Sequence, residues 1–156
     1  MSEDQVPDIL FSVVPLARFL YFTRKCSGTS YESVSQLLQH LEGQHGLWPR
    51  LEGAERMEDA AIYACLAPLH TPVGPTLVVS EVSYRPGSGA FEMSAAQLPQ
   101  FVANHRSVFK EVLFNGDVLI LDTVGSVLVV FHHEGVYSSF DLKSEYDNDR
   151  KSENRK

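Results

Sequence analysis

The sequence predicts a single-domain α+β fold, an antiparallel sheet with a C-terminal three-stranded meander covered by two amphipathic helices. Three observations carry this. Apolar residues recur at helical spacing in two stretches, around 31–41 and 98–113. Three consecutive β-type runs between 116 and 142 are joined by turns too short for crossover connections. The chain has 156 residues, 44% hydrophobic and 10% aromatic, which suits one buried core, and the domain is expected to span 1–142.

Residues 9–25 (ILFSVVPLARFLYFTRK) are strongly apolar and read as strand, helix or one of each, with Pro15 as the break. Thr29-Ser30-Tyr31-Glu32 has the spacing of a capping box. Behind it Tyr31, Val34, Leu37, Leu38 and Leu41 form one helical stripe, ended by Gly43 and Gly46. Residues 46–57 are a connection rich in Gly, Pro and charge. AIYACLAPL and TLVVSEVSYR read as strands from their β-branched and aromatic content, with the HTPVGP loop between them. RPGSG at 85–89 is a turn and Ser94-Ala95-Ala96-Gln97 a second capping box. The stripe Leu98, Phe101, Val102, His105, Val108, Phe109, Val112 and Leu113 then predicts a helix stopped by Asn115-Gly116, with Pro99 tolerated in its first turn. GDVLILD, VLVVFHH and VYSSFDL are the meander strands. VLVVF lacks polar alternation, so it is expected to be covered on both faces. The tail 143–156 has almost no apolar content and is expected to be disordered.

A net charge of −7 and a pI near 5.3 disfavour nucleic-acid binding, because phosphate contacts need clustered Lys and Arg; a basic protein is the better electrostatic match. The two cysteines, Cys26 and Cys65, have no C-x-x-C spacing and read as free thiols of a reducing compartment, although a single disulfide between them stays open. The acidic start, interrupted by Pro7, Pro15 and Arg18, is unlike a signal peptide. No run approaches the roughly 20 apolar residues of a membrane span, and a cytoplasmic location is expected.

The densest chemistry lies in His132-His133-Glu134. Adjacent strand residues point to opposite faces, so His132 and His133 cannot share a metal unless a turn or bulge reorients them. His70, His105 and Asp117 are further candidate ligands, but no metal-ligand spacing links them, and neither a metal nor a cofactor is expected. Asp117 and Asp122 flank a strand and can be read as an acid–base pair or as ordinary solvated strand ends. There is no G-x-S-x-G elbow, Cys65 sits in an apolar run, and Pro86–Gly89 lacks phosphate-loop spacing, so no catalytic residues are assigned. His105 reads as a half-buried structural imidazole. Trp48 fits either a core plug or an exposed anchor.

Residues 98–141, under a third of the chain, resemble the C-terminal half of small bacterial immunity proteins of the polymorphic-toxin type: a helix, a Gly-Asp strand, a hairpin and a further strand, here carrying the words GDV and HHEG. The resemblance implies a non-enzymatic cytoplasmic inhibitor that binds a cognate toxin domain. The expected partner-binding residues are Glu134, Tyr137, His133 and Asp122 around the meander. Two alternatives stand beside it: a small-molecule-binding or enzymatic domain using His132, His133 and Glu134, and an adaptor or chaperone-like module.

Overall fold

The computed structural model describes residues 11–44 and 48–143. The predicted tail therefore lies, from residue 144 onward, outside the described residues. Segment 9–25 is one element of each kind from residue 12: β1 (Ser12–Val14), then α1 (Leu16–Ser27). Pro15 separates them with φ −58° and ψ 147°, and its carbonyl accepts the Arg18 N–H at 2.9 Å. Gly28 closes α1 at φ 77°, a left-handed conformation that costs glycine little. Then come α2 (Val34–Gln44), α3 (Asp59–Leu66), β2 (Thr76–Val79), β3 (Ala90–Met93), α4 (Leu98–Phe109) and the meander strands β4 (Val118–Asp122), β5 (Val127–Phe131) and β6 (Tyr137–Asp141).

The six strands form one antiparallel sheet in the order β1-β3-β2-β4-β5-β6. Because side chains alternate across a pleated strand, each central strand feeds two cores. Val78, Phe91, Ile120, Val129 and Phe131 join Ile62 and Leu66 of α3 and Phe101 and Val102 of α4 on one face. Leu77, Val79, Leu119, Leu121 and Val130 meet Phe19 of α1 and Leu37 and Leu41 of α2 on the other. The result is a three-layer α+β sandwich. β5 is covered on both faces, as its unbroken VLVVF run predicts.

Several elements differ from the sequence reading. The sheet is covered by four described α-helices instead of two, because AIYACLAPL is helical: α3 covers its start and a 3-10 turn at Ala67–Leu69 its end. Ile62 and Leu66, four residues apart, supply the single apolar stripe that α3 buries, and the helix's Ala60, Ala61 and Ala64 are strong helix formers. The strand expected over 76–85 stops at Val79, where Ser83 Oγ accepts the Ser80 N–H at 3.0 Å and a 3-10 turn (Glu81–Tyr84) begins. The strand AFEM (β3) was not anticipated. The cap of α2 is Ser33, four residues after the expected Thr29, and Ser33 Oγ accepts the Gln36 N–H at 3.1 Å. The second capping box does form, Ser94 with Gln97. α4 ends at Lys110, in a left-handed conformation at φ 61°, short of Asn115-Gly116. The reason is tertiary: the buried Asp59 carboxylate accepts the N–H groups of Leu113 (2.8 Å) and Phe114 (3.2 Å), pulling that segment into a separate 3-10 turn. Cys26 is buried in the α1 layer and Cys65 lies on α3 across the sheet; both are free thiols.

His105 is structural, as expected, but fully buried. It lies between the rings of Phe101 and Phe109, with centroids at 5.7 and 4.7 Å. Its Nδ1–H donates to the Glu111 carbonyl at 2.8 Å, whereas Nε2 has no hydrogen-bond partner. Burial holds its pKa below the ordinary 6.5, outweighing the raising influence of the Glu111 carbonyl, so the folded protein keeps this imidazole neutral. A base whose pKa is depressed on folding stabilises fully above its unfolded pKa and loses that contribution as pH falls below it. Unfolding free energy is therefore expected to drop as pH falls from about 6.5 through the depressed folded pKa, and a His105→Gln variant should show a shallower decline in urea melts over that span.

Candidate functional site

The sheet end that carries the β5–β6 hairpin gathers most of the exposed chemistry. Pairing of Val118 with Phe131 sets the starting register, placing Asp117 just before β4 opposite the residues that leave β5. The chain turns immediately after Phe131: the His132 carbonyl accepts the Gly135 N–H at 2.8 Å, and the His132 N–H donates to Val136 at 2.7 Å. Gly135 sits at φ 87°, the left-handed position that a three-residue hairpin loop of this kind requires. His132 and His133 thus lie in a turn, where strand alternation no longer separates neighbouring side chains. Their rings stack with centroids 4.0 Å apart and planes inclined by 34°. The expectation that the two imidazoles diverge is corrected by this turn.

Each imidazole meets a carboxylate. Asp117 Oδ1 accepts the backbone N–H of His133 at 2.8 Å and lies 2.9 Å from its Nδ1. His132 Nε2 lies 2.8 Å from Glu42 Oε1, at the end of α2. The hydrogen bond with Asp117 raises the His133 pKa above its ordinary value, against a smaller opposing effect of burial. Trp48, left open by the sequence, is partly buried. Its ring packs edge-on to His132 (6.4 Å) and Phe140 (5.6 Å), covering one side of the pair.

Beside the hairpin lies a cleft of about 570 Å³, walled by Arg50, Glu52, Glu55, Arg56, His133 and Glu134, with Asp59 and Phe114 among its deeper residues. The segment 50–57 is tied to the hairpin: the Arg50 guanidinium donates to the Glu134 carbonyl (2.8 Å) and the Leu51 N–H to the Gly135 carbonyl (2.8 Å). The cleft wall and the histidine pair are one connected unit.

Of the four expected contact residues, Glu134 and His133 are exposed on this unit. The other two make contacts within the fold. Tyr137 is half-buried and packs against the α3–α4 core. Asp122 is not a solvated strand end but a buried clamp. Its Oδ1 accepts the N–H groups of Val124 (3.1 Å) and Gly125 (3.0 Å), and its Oδ2 accepts Val73 N–H (2.9 Å) and pairs with His70 Nε2 (2.8 Å). Burial works to raise its pKa, but the hydrogen bonds from Gly125, His70, Val73 and Val124 together hold it below the ordinary carboxylate value. Asp117 and Asp122 belong to opposite ends of β4 and do not form an acid–base pair. His70 is occupied by this clamp. Glu42 was missed by the sequence reading: it is ninety residues from His132, and no local pattern connects them.

The fold and this site define a three-layer α+β domain with a histidine–carboxylate cluster at one sheet end. No protein-family model, no curated protein and no solved structure matches the chain. No described helix is long and apolar enough to cross a membrane.

Proposed function

We propose that this protein is a non-enzymatic, cytoplasmic binding protein that captures a basic protein partner, acting as an immunity-like inhibitor of a cognate toxin domain. The observation that carries the reading is the hairpin end. An acidic chain of net charge −7 presents there an exposed Glu134 beside a cleft whose wall alternates Glu52 and Glu55 with Arg50 and Arg56, so the net negative charge and Glu134 favour a basic partner while the two arginines offer contacts to its carboxylates. The layout resemblance over 98–141 supports the same class. A nuclease toxin, whose own cleft is positive because it holds phosphate, is the partner chemistry that fits best.

The test is co-expression with the product of the gene immediately upstream. The expected result is rescue of growth and a one-to-one complex weakened by salt. Glu134→Lys should slow association with little change in melting temperature, because exposed rim charges act mainly through encounter rate. Absence of a complex, or one insensitive to both salt and Glu134→Lys, overturns the reading. A small-molecule site using His132, His133 and Glu134 is the second reading, favoured by the cleft volume of about 570 Å³, which is within the range of metabolite pockets. Tight metabolite binding abolished by His132→Ala would put it first.

A further inference from the structure

We propose that Asp117, His132 and His133 form a binding site for one divalent transition-metal ion of the zinc type, with Glu42 fixing the His132 ring from its far side. One donor atom from each of the three lies within 4.8 Å of the other two. Two imidazole nitrogens and a carboxylate oxygen are a donor set that Zn²⁺ accepts, and they leave a position open for water or a further ligand. The 2.9 Å between His133 Nδ1 and Asp117 Oδ1 is a hydrogen bond in the metal-free protein, and an ion entering between them would replace its proton and open the pair to the roughly 3.4 Å edge of a tetrahedral site. The donor atoms lie within 4.8 Å of one another, against about 3.4 Å for two donors on a tetrahedral zinc, so binding requires the ligand side chains to draw in, and the His133 side chain, 56% exposed, is free to rotate.

The tautomer of His132 also suits a metal. The Glu134 N–H donates to its Nδ1 at 3.2 Å, so Nδ1 carries a lone pair and the proton sits on Nε2, where Glu42 Oε1 accepts it at 2.8 Å. A carboxylate holding the remote N–H of a ligating histidine is the usual way proteins orient such a ring and raise its basicity. The long hydrogen bond from Glu134 is the only one to Nδ1 that an ion would displace among the described contacts. The backbone is fixed before any ion arrives, because Asp117 and the histidines extend from paired β4 and β5 and are joined by the His133 N–H to Asp117 bond. His132 is only 13% exposed under Trp48, whereas His133 faces solvent, giving an ion shelter on one side and entry on the other. Asp117, Glu42 and Glu134 surround the pair with negative charge that a dication offsets.

The experiment uses full-length protein without a polyhistidine tag, stripped with EDTA and titrated with Zn²⁺ by calorimetry, with thermal melts in parallel. The expected result is one equivalent bound and a raised melting temperature. Affinity should fall at least about tenfold in His133→Ala and in Asp117→Asn, and by about tenfold in Glu42→Gln, the range for a group that orients a ligand. His133→Ala removes an exposed side chain, so circular dichroism should show it folded like the parent. If Zn²⁺ produces no heat and no shift in the melt, or binds His133→Ala and Asp117→Asn as tightly as the parent, the cluster is only a pair of hairpin hydrogen bonds and the proposal fails. The outcome is independent of whether a toxin partner exists.

Discussion

Replacing Phe91 with alanine is expected to cost about 3–5 kcal/mol of folding stability and to lower the melting temperature by roughly 10 °C or more. Phe91 is fully buried on β3, the strand that joins edge strand β1 to the rest of the sheet. Its ring meets Phe11 edge-on at 5.5 Å, Phe101 of α4 at 5.5 Å and Phe109 at 5.1 Å. Truncation removes the burial of one ring and leaves a cavity bounded by two rings of α4, Phe101 and Phe109, and by Phe11 ahead of β1, which the paired sheet and helix keep from collapsing into it. Urea or thermal denaturation of Phe91→Ala measures this. A loss below about 1 kcal/mol would mean that the aromatic cluster does not couple β3 to α4 as described.

Asp122→Asn is expected to be the most damaging single-atom change in the protein, costing about 2–4 kcal/mol, with Asp122→Ala at least as severe. The carboxylate accepts three backbone N–H groups and the His70 Nε2–H, joining the 70–75 loop to the β4–β5 turn. An amide preserves the volume but turns one acceptor into a donor. Val73 N–H and His70 would then face an NH₂ group in a site from which water is excluded. Because the Asp122 pKa is lowered on folding, its contribution is present above the unfolded value of 3.8 and is lost as pH falls through the folded one; the Asn variant should lack that acid-side decline. If Asp122→Asn instead melts like the parent but binds a partner less well, Asp122 is a contact residue after all.

Both residues show where the candidate site and fold were legible. The α4 stripe as far as Phe109, the Pro15 break, the Ser94–Gln97 cap and the cores of the three meander strands are local patterns, and each appears where its residues placed it. AIYACLAPL failed because a short apolar run has no decisive period: Ile62 and Tyr63 suggested strand, while the alanines and the Ile62–Leu66 spacing favoured helix. The histidine pair was noticed as a word but misjudged in geometry, since the strand rule was extended two residues beyond the point where the turn begins.

What the sequence determined by itself was the α+β class, the meander with its doubly covered β5, and the chemical identity of the hairpin tip, because these depend on periodicity and turn chemistry within a few residues. The tertiary structure alone decided three things: that β3 pairs between β1 and β2, that Asp59 and Asp122 are buried acceptors instead of solvated charges, and that Glu42 and Asp117 flank two stacked imidazoles. Each depends on which distant backbone N–H or side chain arrives at a given carboxylate, and that is set by how the layers pack, a relation between residues up to ninety apart that no local pattern encodes.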